Sequence, residues 1–534
     1  MRSSVDKLIM GAGTAGCVLA NRLSLHHTVL LIEAGDFPSF WSNIPLTSPI
    51  LQRSEHDWQY ETAPQANSSG GLKNNVSFWP RGKVLGGSGQ INLLNHYDGR
   101  PEDFEAWGPW FDYGNVSKVL GHIIGYDRKT NVGNNVENFP VRVSLTDTAT
   151  PGLTTAIVKS KHYLSKLYHD VRISVPWAAV YRGARFSSLH GYLYPILNRR
   201  SLHVLLNTVV TKIVIDDSYK AEGVRLESGE IVRVRREVIL AAGAIESPKL
   251  LQLSGIGPSA LLKKHQIPVL VPNDAVGANL FDHVTMPLYV STDAATVSLA
   301  SALSSDNIWN YVRRGEGSFN FSSVAGVGSV DGRLGFLAVG IKPDRSALLT
   351  QIANYKDETF ASLFPMDDRH GFVILSQCLK PQSRGYVHIT SSDPLSPPLI
   401  DPKYFSHEED MQCAVRALKM SMEMLQTKPF HTLRVSPHLP RLSGCDHLEA
   451  SIMNEDYLSC IIRQAAFTSY HPGGTCSLGE GGVVDDELRV HGVQGLRVVD
   501  GSVFPSPVAG TPNTLTIAVA EIAATLIHHA ASLV

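Results

Sequence analysis

The sequence contains no uninterrupted apolar run long enough to cross a membrane. A transmembrane helix needs about 20 mostly apolar residues, and polar or charged residues interrupt every apolar stretch here. The chain also has almost no charge excess, with 47 basic and 49 acidic residues and a formal net charge of −2. Proteins that bind nucleic acid or anionic membranes usually have a clear basic excess. We therefore expect neither a membrane-spanning protein nor a nucleic-acid partner.

Cysteines are few, and their spacing is not that of a metal site. The chain has six, and none follows the short pairwise spacing typical of zinc ligands, so we expect no metal. Cys17 falls in an apparent core helix and Cys476 near the candidate site, which predicts two free thiols. Cys445 and Cys460 could form a disulfide, although their spacing alone does not show it.

Two features bear on the cellular location. An apolar strand follows Met1 within a few residues, which leaves no room for a signal peptide ahead of it. Glycosylation sequons begin at Asn67, Asn75, Asn115 and Asn320. We expect a secreted protein whose leader has been removed, with a cytoplasmic protein as the alternative.

Length and composition indicate a well-buried globular protein. The chain has 534 residues, of which 43% are hydrophobic and 18% charged. Single hydrophobic cores stop growing beyond about 250–300 residues, so we expect two domains.

The first segment has the pattern of a dinucleotide-binding turn. Residues 8–10 predict a buried strand, 17–25 a helix and 29–32 a second strand, with Gly11-x-Gly13-x-x-Gly16 between the first two. These glycines permit a tight turn and close approach to a pyrophosphate, which the helix N-terminus attracts. Glu33 follows at the distance of a carboxylate that binds a ribose hydroxyl. The pattern fits FAD and NAD equally well.

Further strands and a last helix complete the predicted organisation. Residues 202–216 and 221–232 indicate a hairpin-rich region, 238–243 a buried strand that runs into a turn, 496–499 a strand and 514–530 a helix. The nucleotide-binding elements thus come from separate parts of the chain. We predict a discontinuous cofactor domain of residues 1–150, 200–280 and 465–534, and a substrate domain of residues 151–199 and 281–464.

Residues 80–92, which contain Arg81, Gly86-Gly87-Ser88 and Asn92, resemble the first signature of the glucose-methanol-choline (GMC) oxidoreductase family. Residues 243–257 are similar to its second signature. The resemblance implies an α/β (α+β) fold, with a Rossmann-like FAD-binding domain and a substrate domain that has an antiparallel sheet and helices. Some members attach FAD covalently through a histidine at the position of Ile91, so noncovalent FAD is implied here. His96 departs from the aromatic or small residue usual in the family.

The resemblance also implies which residues contact FAD. They belong to the first turn, the signature loop, two strand ends and the start of the last helix: Gly11, Gly13, Thr14, Ala15, Gly16, Glu33, Ala34, Arg81, Gly86, Gly87, Ser88, Asn92, Val210, Ala242, Asp500, Gly501, Asn513 and Thr514.

Residues 470–476 are similar to the segment that carries the family's catalytic histidine, here His471. A histidine can accept the hydroxyl proton of an alcohol near neutral pH while the flavin accepts the hydride. The family's second catalytic position is Asn513, which could hold the hydroxyl by hydrogen bonding. His283 is a less favoured base, because the resemblance gives its segment an architectural role.

The resemblance leaves several activities open. The first is oxidation of a primary or secondary alcohol, with oxygen as the favoured acceptor and a dehydrogenase with another acceptor as the alternative. Residues 79–82 and 383–387 resemble arthropod members, which suggests an aromatic alcohol or aromatic α-hydroxynitrile as substrate. The second is a hydroxynitrile lyase, but the family's lyases use paired histidines rather than a His–Asn pair. The third, a non-catalytic flavin-binding protein, would predict loss of His471 or Asn513, and both are present.

Overall fold

Two seven-stranded sheets form the framework of the protein. The computed structural model describes residues 5–127, 136–145, 150–320, 322–343, 352–365 and 369–532. In chain order the strands are β1 Val5–Met10, β2 Val29–Ile32, β3 Tyr60–Glu61, β4 Phe78–Trp79, β5 Ile124–Asp127, β6 Val141–Leu145, β7 Val171–Ser174, β8 Trp177–Ala178, β9 Val180–Tyr181, β10 Ala184–Arg185, β11 Leu202–Leu205, β12 Val210–Ile215, β13 Ala221–Leu226, β14 Ile231–Leu240, β15 Ile256–Gly257, β16 Val271–Pro272, β17 Val284–Thr292, β18 Val324–Val330, β19 Leu334–Val339, β20 His370–Cys378, β21 Tyr386–His388, β22 Leu399–Asp401, β23 Ser436–Pro437, β24 Phe467–Thr468 and β25 Leu496–Val498.

The helices surround these sheets. They are α1 Thr14–Leu23, α2 Tyr113–Ile123, α3 Pro151–Leu164, α4 Gly243–Leu253, α5 Ser259–Lys264, α6 Leu299–Ala302, α7 Ser305–Arg314, α8 Asp357–Leu363, α9 Glu408–Leu425, α10 Lys428–His431, α11 Glu455–Ala465 and α12 Asn513–Ser532. No helix in the described part of the chain is both long and apolar enough to cross a membrane.

The first sheet has a parallel centre with an antiparallel extension. Strands β11, β2, β1, β14 and β25 run parallel, and β14 continues into the antiparallel neighbours β13 and β12. All residues of β2 are buried, as expected for a parallel strand covered on both faces. Helices α1 and α12 pack against each other beside this sheet. The predicted strand–turn–helix–strand unit is confirmed.

One sequence expectation for this sheet was wrong. Residues 202–205 were predicted within a hairpin-rich region, but β11 pairs in parallel with β2 instead. An apolar alternating run predicts a strand without specifying its partner, which tertiary packing decides. The hairpins exist further along, where β12, β13 and the first part of β14 pair antiparallel.

The second sheet is antiparallel. Its order is β23, β17, β20, β19, β18 and β7, with β24 paired to β17. Helix α9 packs on β19 and β20 and closes a second hydrophobic core. Residues of β18, β19 and β20 also line a cavity between the two sheets.

Two disulfides lie in the part of the structure that is built around the second sheet. Cys445 pairs with Cys460, and Cys378 of β20 pairs with Cys413 of α9. The first pairing was left open by the sequence. The second was missed, because a separation of 35 residues gives no local signal. The predicted free thiols, Cys17 and Cys476, are both free and buried. Of the four sequon asparagines, Asn67, Asn75 and Asn115 are exposed and Asn320 is buried.

Candidate active site

A cavity of about 580 Å³ extends from the β1–α1 turn to the second sheet. Its lining includes Gly11 and Thr14 from the β1–α1 unit, Val327 and Leu375 from the second sheet, and His471. Such a position between two structural layers is typical of cofactor and substrate sites.

The β1–α1 turn depends on glycine at two points. Gly11 has φ +93°, and a Cβ there would lie 2.5 Å from the carbonyl oxygen of Ala241. A Cβ on Gly16 would lie 1.9 Å from the carbonyl oxygen of Gly11. Gly16 therefore serves the packing of α1 against the turn and is outside the cavity lining. Helix α1 has no side-chain N-cap, so its first N–H groups are available to an anion.

Glu33 is buried at the end of β2 and keeps acceptor capacity. Its carboxylate accepts hydrogen bonds from the Ala12 N–H (2.8 Å) and the Gly35 N–H (3.0 Å). Burial raises the pKa of Glu33 to about 7, although these N–H groups oppose the shift. Each carboxylate oxygen accepts one of these bonds and can accept a further hydroxyl. Ala34 lines the cavity beside it.

The loop of residues 81–92 lies directly against the first turn. A Cβ on Gly87, where φ is +55°, would approach the Cα of Gly13 to 2.6 Å, so position 87 does not tolerate a side chain. The N–H of Gly86 donates to the Ala12 carbonyl (2.8 Å), and Gly86 itself is outside the lining. Ser88 and Asn92 line the cavity.

Arg185 is a buried residue that the sequence did not single out. Its guanidinium donates to the Asn92 Oδ1 (2.8 Å), the Gly89 carbonyl (3.0 Å) and Ser48 Oγ (2.6 Å). Burial lowers its pKa to about 9. Arg185 thus fixes the signature loop from behind, and no local motif around it indicates this role.

Arg81 connects the signature loop to the His471 segment. Its Nη2 donates to the carbonyl oxygen of Tyr470 (2.8 Å). Tyr470 has φ +65°, an uncommon conformation for a residue other than glycine. The next N–H, that of His471, donates to Asp282 Oδ1 (2.7 Å). These contacts fix the backbone on both sides of the histidine.

Asp282 is the buried anchor for this segment. Its Oδ2 accepts hydrogen bonds from the hydroxyls of Thr468 (2.6 Å) and Tyr404 (2.5 Å). Burial raises the pKa of Asp282 to about 6, against the lowering effect of these hydrogen bonds.

His283 contacts His471 directly and determines which nitrogen of His471 carries a proton. His283 Nε2 lies 3.0 Å from the Leu379 carbonyl, which can only accept, so Nε2 carries a hydrogen. Burial lowers the pKa of His283 to about 4, so the ring is neutral near pH 7 and its Nδ1 is an acceptor. The Nδ1 of His471, 2.9 Å away, must then be the donor. The remaining nitrogen of His471, Nε2, is left with a free lone pair.

The environment also keeps His471 neutral. Its pKa lies well below the ordinary value, first because of burial and then because a proton on His471 would interact unfavourably with His283 and with the charge of Arg81. A neutral imidazole with a bare Nε2 can accept a proton. His283 itself does not line the cavity. The sequence missed this contact because the two histidines are 188 residues apart.

Asn513 is the first residue of α12 and lines the same cavity. Its Oδ1 accepts a hydrogen bond from the Thr14 hydroxyl (2.8 Å), which leaves the Nδ2 hydrogens as donors. Thr514 is buried and lies outside the lining, where its hydroxyl contacts His96.

The remaining residues that the sequence predicted to contact FAD also line the cavity. Asp500 lines the cavity, but its carboxylate already accepts from the Gly243 N–H (2.8 Å), Ser247 Oγ (2.6 Å) and the Ser502 N–H (2.8 Å). It therefore organises the turn after β14. Five other predicted cofactor contacts also lie in the lining: Gly13, Ala15, Val210, Ala242 and Gly501.

These residues fit an FAD. The contact between Gly13 and Gly87 makes a backbone cradle that a single Cβ would fill, and free helix N–H groups face it. Buried Glu33 offers acceptors for ribose hydroxyls at one end of the cavity, and His471 and Asn513 lie elsewhere in its lining. A dinucleotide needs such donors for its phosphates and such acceptors for its ribose hydroxyls.

Comparisons with known proteins agree with this geometry. Residues 5–285 match the N-terminal family model described as GMC oxidoreductase, and residues 381–520 match the C-terminal one. The chain is 33% identical to the neither inactivation nor afterpotential protein G of Drosophila melanogaster, over 98% of this chain and 90% of that protein. It is 31% identical to an alcohol dehydrogenase (acceptor) of Pseudomonas putida, over 98% and 95% of the two chains.

The fold is also similar to a solved structure. Pyridoxine 4-oxidase from Mesorbium loti superposes with a TM-score of 0.80 at 23% identity, over 98% of this chain and 99% of that one. The chain therefore belongs to the GMC oxidoreductase family and is an FAD-dependent enzyme that oxidises alcohols.

Proposed function

We propose that the enzyme oxidises an aromatic alcohol or an aromatic α-hydroxynitrile, with His471 as the base, noncovalent FAD as the hydride acceptor and oxygen as the final acceptor. The contact between His283 and His471 carries the assignment of the base, because it leaves the Nε2 of His471 free to accept a proton.

In this scheme the protein prepares the alcohol for hydride loss. His471 Nε2 accepts the hydroxyl proton, and the Nδ2 hydrogens of Asn513 are available to hold the substrate oxygen. Bound FAD supplies the hydride acceptor. Once it has accepted this proton, His471 is positively charged within the cavity. A positive charge near a reduced flavin favours electron transfer to oxygen, which supports oxygen as the acceptor.

The cavity wall supports an aromatic substrate. Trp177, Phe336, Leu375 and Phe467 line it, and apolar or aromatic surfaces favour aromatic rings. A Cβ on Gly328 would meet the ring of Phe336 at 2.3 Å, so the glycine makes room for this ring.

A hydroxynitrile lyase is the second candidate, because the cavity would accept the same substrates. A lyase of this family would need two histidines facing the substrate. His471 and His96 both line the cavity, but the two ring nitrogens of His96 already contact Asp98 and Thr514, and the histidine that contacts His471 lies outside the lining. This arrangement favours oxidation.

The proposed function is tested by adding a panel of alcohols to the holoenzyme without oxygen and then readmitting air. We expect aromatic alcohols or hydroxynitriles to bleach the visible flavin absorbance, and air to restore it rapidly with formation of hydrogen peroxide. Slow recovery in air would indicate a dehydrogenase with another acceptor. Release of cyanide and aldehyde from hydroxynitriles without bleaching would replace oxidation by the lyase reaction.

His283 is expected to act as a positioning residue for His471. In a His283→Phe variant the His471 Nδ1 hydrogen has no acceptor, so the tautomer with a bare Nε2 loses its support. We expect kcat to fall by about tenfold or more, as when a histidine base loses its orienting partner. The KM and the flavin spectrum should stay unchanged. Equal changes in kcat and KM, or loss of FAD, would indicate a merely structural role.

A further inference from the structure

A histidine–carboxylate pair that the proposed reaction does not use lies in the same cavity. Both His96 and Asp98 belong to the lining. His96 Nε2 lies 2.5 Å from Asp98 Oδ1, and the Tyr126 hydroxyl donates to Asp98 Oδ2 (2.7 Å). The His96 side chain is 3% exposed and that of Asp98 is 51% exposed. The pair therefore connects a buried imidazole to a partly solvated carboxylate.

The other nitrogen of His96 contacts the first turn of α12. His96 Nδ1 lies 2.9 Å from the Thr514 hydroxyl, and Thr514 follows Asn513 directly. Since an ionised carboxylate can only accept, Nε2 of His96 carries a hydrogen. The Thr514 hydroxyl can donate to a bare Nδ1 or accept from a protonated one. The imidazole can thus be charged without leaving a buried polar atom unpaired.

The surroundings favour a charged pair. Burial alone would raise the pKa of Asp98, but the hydrogen bond and charge of His96 and the hydroxyl of Tyr126 hold it below its usual value. The groups that face His96 are Asp98 on its own loop, Tyr126 from β5 and Thr514 from α12. Its own N–H donates to the carbonyl oxygen of Trp177, from β8.

We propose that His96 holds a proton and places a positive charge beside the first turn of α12, where it stabilises the negative charge that the bound flavin acquires on reduction. The N-terminus of α12 contributes partial positive charge of the same sign. A charge in this low-dielectric cavity acts more strongly than it would in water. The inference rests on FAD binding and is independent of the alcohol that the enzyme oxidises.

Sulfite binding and the flavin midpoint potential test this proposal without any substrate. Sulfite adds to an oxidised flavin and leaves negative charge on it, so its affinity reports how well the site accepts that charge. In the His96→Phe holoenzyme we expect the sulfite dissociation constant to rise by about tenfold or more. The two-electron midpoint potential should become more negative.

A second variant, Asp98→Asn, distinguishes the effect of the charge on His96 from the effect of packing of its ring. Asp98→Asn keeps the imidazole but removes the carboxylate that accompanies its proton. We expect weaker sulfite affinity than in the wild type, because the amide cannot act as the counter-ion of a protonated imidazole. His122→Phe, an exposed histidine on α2, is the matched control and should match the wild type throughout.

Two results would overturn the proposal. One is a His96→Phe enzyme with full FAD content and wild-type sulfite affinity and potential. If the His96→Phe variant does not retain FAD, the test falls to the Asp98→Asn holoenzyme. The proposal is then overturned if the sulfite affinity of that variant equals the wild-type affinity at all pH values.

Discussion

Replacing His471 with asparagine is expected to lower kcat/KM by about 10²- to 10⁴-fold, the usual contribution of a general base. Asparagine cannot accept the hydroxyl proton, while the contact of the backbone N–H with Asp282 can persist. Steady-state kinetics with an alcohol that reduces the wild-type flavin measures the effect. The wild-type pH profile gives a second readout. Because the pKa of His471 is lowered, the acidic limb of kcat/KM should lie below about pH 6.5, the ordinary imidazole value.

The control for this variant is His122→Asn, which removes an exposed histidine on α2 and should retain full activity. Both proteins should show the wild-type flavin spectrum, which separates loss of the base from loss of the cofactor. A His471→Asn enzyme within a few-fold of wild-type kcat/KM would mean that another group accepts the proton.

A Gly11→Ala substitution is expected to abolish FAD binding. The added Cβ would lie 2.5 Å from the Ala241 carbonyl oxygen, and backbone on both sides leaves no flexible side chain to move away. The turn between β1 and α1 must therefore shift, and with it the backbone of Gly13, which lines the cavity. Flavin content per mole of protein, read from the visible absorbance, measures the loss, and thermal unfolding should show a lowered Tm.

Gly229→Ala is a closely matched control. Gly229 lies in the turn between β13 and β14 with φ +86°, similar to the +93° of Gly11, but a Cβ there meets nothing within 4 Å. Both variants carry the cost of a non-glycine residue at positive φ, about 1–2 kcal/mol. Only Gly11→Ala adds the overlap with Ala241. If the two variants bind FAD equally well, the close approach at Gly11 is not what the site requires.

Local sequence patterns were sufficient for the parts of the site that lie within one supersecondary unit. Gly11, Gly13 and Glu33 all belong to one strand–turn–helix–strand segment. Hydrophobic periodicity and turn chemistry therefore predict how these three residues are arranged. The last helix was predictable for the same reason.

Contacts between distant segments were not predictable in this way. The pairing of His283 with His471 depends on β17 and β24 being neighbours in the second sheet. The role of Arg185 depends on four partners 93 to 143 residues away. A single sequence gives no register between such segments, because tertiary packing decides it.

His96 is an instructive intermediate case. The sequence showed that a histidine stands where the family has an aromatic or small residue, but gave no reason for it. The carboxylate two residues later and the hydroxyl of Thr514 supply the reason only when α12 is in place.

The hydrogen bond from Thr14 to Asn513 joins residues that are 499 positions apart. During synthesis the first of these leaves the ribosome long before the second is made. A nascent chain can form the β1–α1 turn early, but it cannot close the cofactor cavity until Asn513 has been made. Complete assembly of the cofactor site therefore follows synthesis of the α12 segment, and chains that stop before Asn513 cannot assemble the whole site.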